Sequence, residues 1–330
     1  MGGLRLTIAL SGFVCVLVFL TQNKERYFRN VEHATQTLDD HIFEADTWKR
    51  WLLITGHGNQ NNLASNDIRV YDFNSTHHFA SDGVALSPSL VKNLDLQNLR
   101  GIKVVGNVLF LVSAHSTKSK IVMTDKCIFQ KKVKVAKTFT IDSLNHPYGI
   151  AYSDGKLYIT NQNTDQVLLY SLHDGFGASA LIFAKVPHPR GIVIDISGKI
   201  WVASNRGHLF VFASSGELVK KLKIPHPVGV TIDVATGNVI VGSVHGSNSG
   251  IYIIDHLNLK VITKLIVTPP YKLTHPAGVV VIEQRLFVIA QDQRVLYGWN
   301  LATNKFMGVI LEQGQMPERP EQAAIVRCDV

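Results

Sequence analysis

The stretch 146-HPYGIAYSDGKLYITNQNTDQVLLY-170 decides the fold. It reads as three short strands, Tyr148–Tyr152, Lys156–Thr160 and Gln166–Tyr170. Ser153-Asp154-Gly155 joins the first two, because Asp and Gly suit the positive φ of a tight hairpin turn. The pattern recurs. His188-Pro189-Arg190-Gly191-Ile192, His226-Pro227-Val228-Gly229-Val230 and His275-Pro276-Ala277-Gly278-Val279 open further copies, each followed by two more apolar runs. Leu99-Arg100-Gly101-Ile102 opens another copy without the His-Pro pair. The glycines Gly101, Gly149, Gly191, Gly229 and Gly278 stand 48, 42, 38 and 49 residues apart. That is the spacing of a propeller blade, roughly 40–50 residues.

Working outward, Trp51–Thr55 and Ile68–Asp72 match the second and third strands of a first copy that lacks its opening strand. A propeller closes by mixing chain ends in one blade, which hides sheet edges. Ala323–Arg327, the last apolar run, is the expected closing strand. The strands are apolar on both sides, as in Val279-Val280-Val281-Ile282, which fits blades stacked face to face. Trp201 and Tyr158, at equivalent second-strand positions, are expected to be buried between blades. The expected fold is all-β, a six-bladed β-propeller over 48–330, preceded by one N-terminal hydrophobic helix.

These openings, the Leu-Tyr-Ile-Thr-Asn second strand and the third strand near each repeat's end resemble the NHL repeat family of β-propellers. The resemblance covers roughly 48 to 311. It implies a fold, since propellers host many unrelated activities. Among enzymes on similar propellers, the peptide-amidating lyases hold a channel zinc with histidines. The residue before each repeat glycine here is Arg100, Tyr148, Arg190, Val228 or Ala277, none of them His. Calcium hydrolases of the gluconolactonase and paraoxonase kind need channel carboxylates and Asn. This chain offers Asn161 and Asn205, with only Asp165 and Asp292 near second-strand ends. Strictosidine-synthase-like enzymes use a Glu near the channel, and no comparable strand Glu is evident.

At the N-terminus, the fifteen apolar residues 6–20 fit a signal-peptide core and are short for a span. Lys24, Arg26 and Arg29 follow without a small-x-small cleavage site. The segment 1–22 reads as a signal-anchor, with a cleaved signal or a buried strand as alternatives, and 23–47 reads as a stem. The propeller would then be lumenal or extracellular, tethered to the membrane through residues 6–20, or secreted. Asn74-Ser75-Thr76 is the one glycosylation sequon. The three cysteines, Cys15, Cys127 and Cys328, form no metal-finger spacing. Cys127 and Cys328 could pair if the last strand closes the first blade, but two free thiols are the primary expectation.

The formal charge is +8, and Lys118, Lys120, Lys126, Lys131, Lys132, Lys134 and Lys137 cluster on one blade. Lysine on solvated outer strands discourages edge pairing. The alternative is a patch for anionic lipid, polysaccharide or nucleic acid. No aromatic residues interleave it to stack bases, so nucleic acid is not the expected partner.

Strand direction puts the His-Pro openings and the loops after second strands on one face. That face collects His146, His188, His226 and His275, together with His57, His115, His208 and His245. Asn161, Asn163, Asn205, Asn248 and Gln291 accompany them. A His before Pro can simply bond loop backbone, copied by duplication, and that framework role is the first reading. The functional reading makes His146, His188, His226, His275, Asn161 and Asn205 a ligand rim for a protein or glycan. Protonation of such a rim would strengthen anion binding between about pH 7.5 and 5.5. A zinc or calcium site at the channel, with the same four histidines as candidate ligands, is the enzymatic alternative: a metal-dependent lyase or hydrolase. No cofactor is the primary expectation, and catalytic residues and oligomeric state are not assignable from the sequence.

Overall fold

The computed structural model describes residues 48–57, 67–73, 84–85, 96–114, 119–130, 137–139, 141, 143–173, 179–244, 246 and 249–329. Among them lie twenty-four strands, two short 3-10 turns and no α-helix. The strands form six four-stranded antiparallel sheets, the six blades of a β-propeller. Blade 1 holds β1 (Trp48–Gly56), β2 (Asp67–Phe73) and β3 (Val84–Ala85). Blade 2 holds β4 (Leu99–Val105), β5 (Val108–Ser113), β6 (Lys120–Asp125) and β7 (Lys137–Phe139). Blade 3 holds β8 (Pro147–Ser153), β9 (Lys156–Asn161), β10 (Gln166–Ser171) and β11 (Leu181–Lys185). Blade 4 holds β12 (Pro189–Ile194), β13 (Ile200–Ser204), β14 (His208–Phe212) and β15 (Leu218–Lys223). Blade 5 holds β16 (Pro227–Ile232), β17 (Val239–Ser243), β18 (Gly250–Asp255) and β19 (Lys260–Leu265). Blade 6 holds β20 (Pro276–Ile282), β21 (Arg285–Ala290), β22 (Val295–Asn300) and β23 (Lys305–Leu311). The last strand, β24 (Pro320–Asp329), completes blade 1 by pairing antiparallel with β1, Trp51 opposite Val326. The closing strand therefore runs three residues further upstream than its apolar run suggests. Pro320, Glu321 and Gln322 belong to it.

The local reasons are visible in the chain. Asp154 and Gly155 take φ of 48° and 72°, the left-handed pair that a two-residue hairpin between β8 and β9 requires. Second strands such as β5 and β13 are buried at every position, because each blade packs both faces. Outer strands such as β15 are almost wholly exposed. Trp201 is fully buried and donates its indole N–H to Asp195 Oδ2 at 2.7 Å, which satisfies the one polar atom of a large ring. Tyr158 is buried at the equivalent place.

Two expectations need correction. Cys127 and Cys328 are not free thiols; they form a disulfide between blades 2 and 1. Lys120 is not a solvated edge residue: β6 is an interior strand, and Lys120 is buried. Of its companions, Lys118, Lys131, Lys132 and Lys134 lie outside the described residues, as does Asn74. The expected N-terminal helix, the signal-anchor and the stem also lie outside them, and among the described residues no helix is long and apolar enough to cross a membrane.

Candidate functional site at the channel mouth

Each inner strand is entered through one residue held at positive φ. In chain order these are Asn98 (49°), His146 (55°), His188 (48°), His226 (37°), His275 (45°) and Arg319 (44°). The carbonyl of each accepts an N–H from the loop after its blade's second strand. The donors are Ala114, Gln162, Asn205, Val244, Gln291 and His57, at 3.0–3.2 Å. The His-Pro opening is thus first of all a backbone turn, and Asn98 and Arg319 complete the six-fold set. Asn is an expected occupant because it tolerates the left-handed region.

The side chains of these histidines reach sideways. His146 Nε2 lies 3.3 Å from Arg100 Nη2, and His188 Nδ1 lies 3.3 Å from Gln162 Nε2. His226 Nδ1 donates to Asn205 O at 2.7 Å, and His275 Nδ1 sits 3.7 Å from Asp292 Oδ1. Asn161 is fully buried. Its Oδ1 accepts from Asn145 N, and its Nδ2 donates to Ser143 O and Thr164 Oγ1, at 2.7–2.8 Å. It staples its loop. Asn205 contributes backbone atoms, its N–H to His188 and its carbonyl to His226. His115, His245 and Asn248 lie outside the described residues. Among the described residues no three His, Cys, Asp or Glu side chains are grouped to hold a metal.

The inward-facing ring is one step further along each strand. After the positive-φ residue and the one that follows it come Arg100, Tyr148, Arg190, Val228, Ala277 and Glu321. Four of the six are polar and three charged, at the narrowest part of a propeller. Glu321 is buried, forms an ion pair with Arg100, and accepts from Tyr148 Oη at 2.8 Å. Arg100 Nη2 also reaches His57 Nε2 at 2.8 Å. Tyr148 spans the channel: its hydroxyl meets Glu321 of blade 1, and its ring packs with Val228 and Ala277 of blades 5 and 6. Two guanidinium groups lie over that ring, Arg190 at 4.8 Å and Arg100 at 5.5 Å, the geometry of cation–π attraction. Arg100 has its carboxylate. Arg190 has none among the described residues.

Electrostatics follows from this ring. Burial, then Arg100, Arg190 and His188, lowers the His146 pKa to about 4. Burial and the neighbouring Arg190 and Arg206 lower that of His188, and burial lowers that of His275 against the opposing pull of Glu321 and Asp292. Burial pushes the Tyr148 hydroxyl up, with Glu321 adding to it. A His rim that charges in mild acid is therefore corrected for His146. It stays neutral, because it is partly buried and because two permanent cations, Arg100 and Arg190, already occupy the mouth. Two arginines against one glutamate leave the mouth positive.

Sequence reasoning passed over Arg100, Tyr148 and Arg190 because it tested that position only for zinc-ligating histidine. It missed Glu321 because Gln322 stands where the other repeats carry glycine. A strand glutamate at the channel does exist, and the available signal was Pro320, which repeats the proline of Pro147, Pro189, Pro227 and Pro276.

No protein-family model and no curated protein matches the chain. Solved structures do. A propeller from the crystal structure of a nidogen/laminin complex superimposes with a TM-score of 0.65 at 14% identity, covering 84% of this chain and 98% of the other. A "putative 6-phosphogluconolactonase" from Bacteroides uniformis gives 0.57 at 14% identity, covering 84% and 99%. Its counterpart from Bacteroides fragilis gives 0.57 at 12%, covering 87% and 100%. At such identities the likeness establishes the six-bladed propeller fold and nothing finer.

Proposed function

We propose that the chain is an NHL-like, non-enzymatic binding propeller that takes up an acidic side chain of a protein partner at the channel mouth. The observation that carries this is Arg190: a guanidinium stacked on Tyr148, beside a Glu321 already occupied by Arg100 and Tyr148. Arg206 and Arg319 stand exposed on the same rim and extend the positive field. His146, His188, His226, His275, Asn161 and Asn205 support this mouth by fixing its loops, with His226, exposed, the nearest to a direct contact. The protein-complex propeller among the structural neighbours agrees with a protein ligand. The lactonase-named neighbours keep the enzymatic alternative in view.

The test is fluorescence anisotropy with short labelled peptides carrying one Asp or Glu, against Asn or Gln counterparts. Acidic peptides should bind about tenfold more tightly, less so at high salt, and Arg190→Gln should remove the difference. Equal binding of acidic and neutral peptides would defeat the reading. Lactone hydrolysis abolished by Glu321→Gln would replace it with the enzymatic one.

A secretory, lumenal or extracellular location is part of the proposal. The Cys127–Cys328 disulfide supports it, since such bonds persist in oxidising compartments. Glycosidase-sensitive mass at Asn74 would check it.

A further inference from the structure

Beneath the mouth the channel widens into a cavity of about 570 Å³. Its wall starts where the ring of Arg100, Tyr148, Arg190 and Glu321 ends, with none of those four in it. The lining is the continuation of the six inner strands; most of its side chains are aliphatic, Ile150, Ile192, Ile194, Val230, Val281 and Ile325 among them, while Thr231, Gln322 and the strand backbone at the glycines add polar surface. Tyr148 closes the upper end against Val228 and Ala277. At the other end Ile196 and Val234 line the cavity while 67% and 80% exposed, so the opening to solvent is apolar as well. A cavity of this size with one apolar mouth has the dimensions of a small-molecule site.

One lining residue does not belong to an aliphatic wall. Lys103 of β4 is the only Lys, Arg or His among the lining residues. It stands three residues along the strand from Arg100, about 10 Å below the ring at strand rise. No ion pair or hydrogen bond engages its amine among the described residues. The one acidic lining residue, Asp195, is fully occupied. Its Oδ1 accepts from Ser197 N, Ser197 Oγ and Lys199 N, and its Oδ2 from Trp201 Nε1, at 2.7–3.0 Å. Lys103 is half-buried, and an ammonium taken even partly out of water without a partner is costly.

We infer that this cavity is a binding site for a small apolar-tailed carboxylate, its head paired with the Lys103 amine and its tail along the aliphatic wall. Lys103 is the one cation of the wall, and the one carboxylate, Asp195, is taken up by its own turn and by Trp201, so a single ammonium is left to match a single negative charge. A phosphate monoester would bring a second charge with nothing to meet it. The apolar entrance favours a tail over a polar body such as a sugar acid. Burial lowers the Lys103 pKa, so the amine gains from a counter-ion that restores its charge. This site is separate from the mouth, which Tyr148 divides from it.

The probe is sodium octanoate, with octanol as its uncharged counterpart, measured by calorimetry and by thermal melting of the full chain. Octanoate should raise the melting temperature and bind at least about tenfold more tightly than octanol. Affinity should climb about fourfold per methylene from hexanoate to octanoate. Lys103→Met should melt higher than the parent without ligand, because a desolvated charge is gone, and should lose octanoate affinity at least about tenfold. Lys103→Arg should retain most of it. Lys103→Met should still bind acidic peptides at the mouth, so failure of either site leaves the other testable. Octanoate binding that is unchanged in Lys103→Met, or matched by octanol, would overturn the inference. So would absence of binding by every straight-chain carboxylate from hexanoate to dodecanoate.

Discussion

The seam between blades 1 and 2 and the seam between blades 5 and 6 solve one problem in different ways. At the second, Gly229 of β16 faces the carbonyl of Ala277, and a Cβ there would sit 2.4 Å from that oxygen. The ring residues on either side, Val228 and Ala277, are apolar and packed. At the first, Gln322 stands in the place of the glycine, and Thr55 Oγ1 bridges the seam, donating to Arg100 O at 2.9 Å and accepting from Gln322 N at 3.1 Å, as Thr160 does between Gly149 and Arg190. The same seam carries the Arg100–Glu321 pair, the Cys127–Cys328 disulfide and the Trp51–Phe129 ring contact at 4.9 Å. The difference follows from β24. It joins blade 1 from the far side of the sequence, about 270 residues from β1, so no hairpin turn holds the two strands together. Glu321 ties its beginning and Cys328 its end to blade 2. Repeat packing holds the seams between consecutive blades, while ionic and covalent ties hold the blade that both chain ends build.

The largest effect should come from breaking the ionic tie. Glu321→Met leaves Arg100 as a buried uncompensated cation and Tyr148 Oη without its acceptor. The expected cost is about 3–5 kcal/mol, read by denaturant unfolding. Arg100→Met combined with Glu321→Met should recover much of it. If the double variant is as unstable as the single, the pair is not what holds β24. On the opposite seam, Gly229→Ala should cost about 1–3 kcal/mol, because backbone must move to admit the methyl group. A cost under about 0.5 kcal/mol would show that this seam has slack.

The same contrast explains what was legible in the sequence. Five glycines and four His-Pro pairs announced five openings, because the tight seams demand them. The sixth was obscured, since Arg319-Pro320-Glu321-Gln322 has neither the His nor the Gly. Trp201 and Tyr158 were readable as core because apolar strands have no other place to go. The channel ring was not, because inward direction is set by the bulge that follows each opening, as between Pro189 and Ile192. No periodicity reports that bulge. Nor could spacing alone settle a disulfide between residues 201 apart in sequence. The register of β24 against β1 brings Cys328 to Cys127.

The smallest effect, and the one that separates framework from ligand roles, is the titration of His146. Its folded pKa of about 4 lies below the ordinary value of 6.5. The unfolded chain therefore binds the proton more readily. The stability that neutral His146 represents is fully present above about pH 6.5 and is lost as pH falls from there through about 4. Half-buried and partly screened, it should amount to about 1–2 kcal/mol. His146→Asn is the clean variant, because Asn98 holds the same positive φ in blade 2 and Asn does not titrate in this range. Unfolding free energy measured every half unit between about pH 4 and 7 should fall less steeply toward acid in the variant than in the parent. Parallel profiles would mean that the proton enters His146 without disturbing Arg100, and that the mouth is looser than its 2.8 and 3.3 Å contacts indicate. A flatter profile with unchanged binding of acidic peptides would place His146 in the framework of the mouth and leave Arg190 as the group that meets the partner.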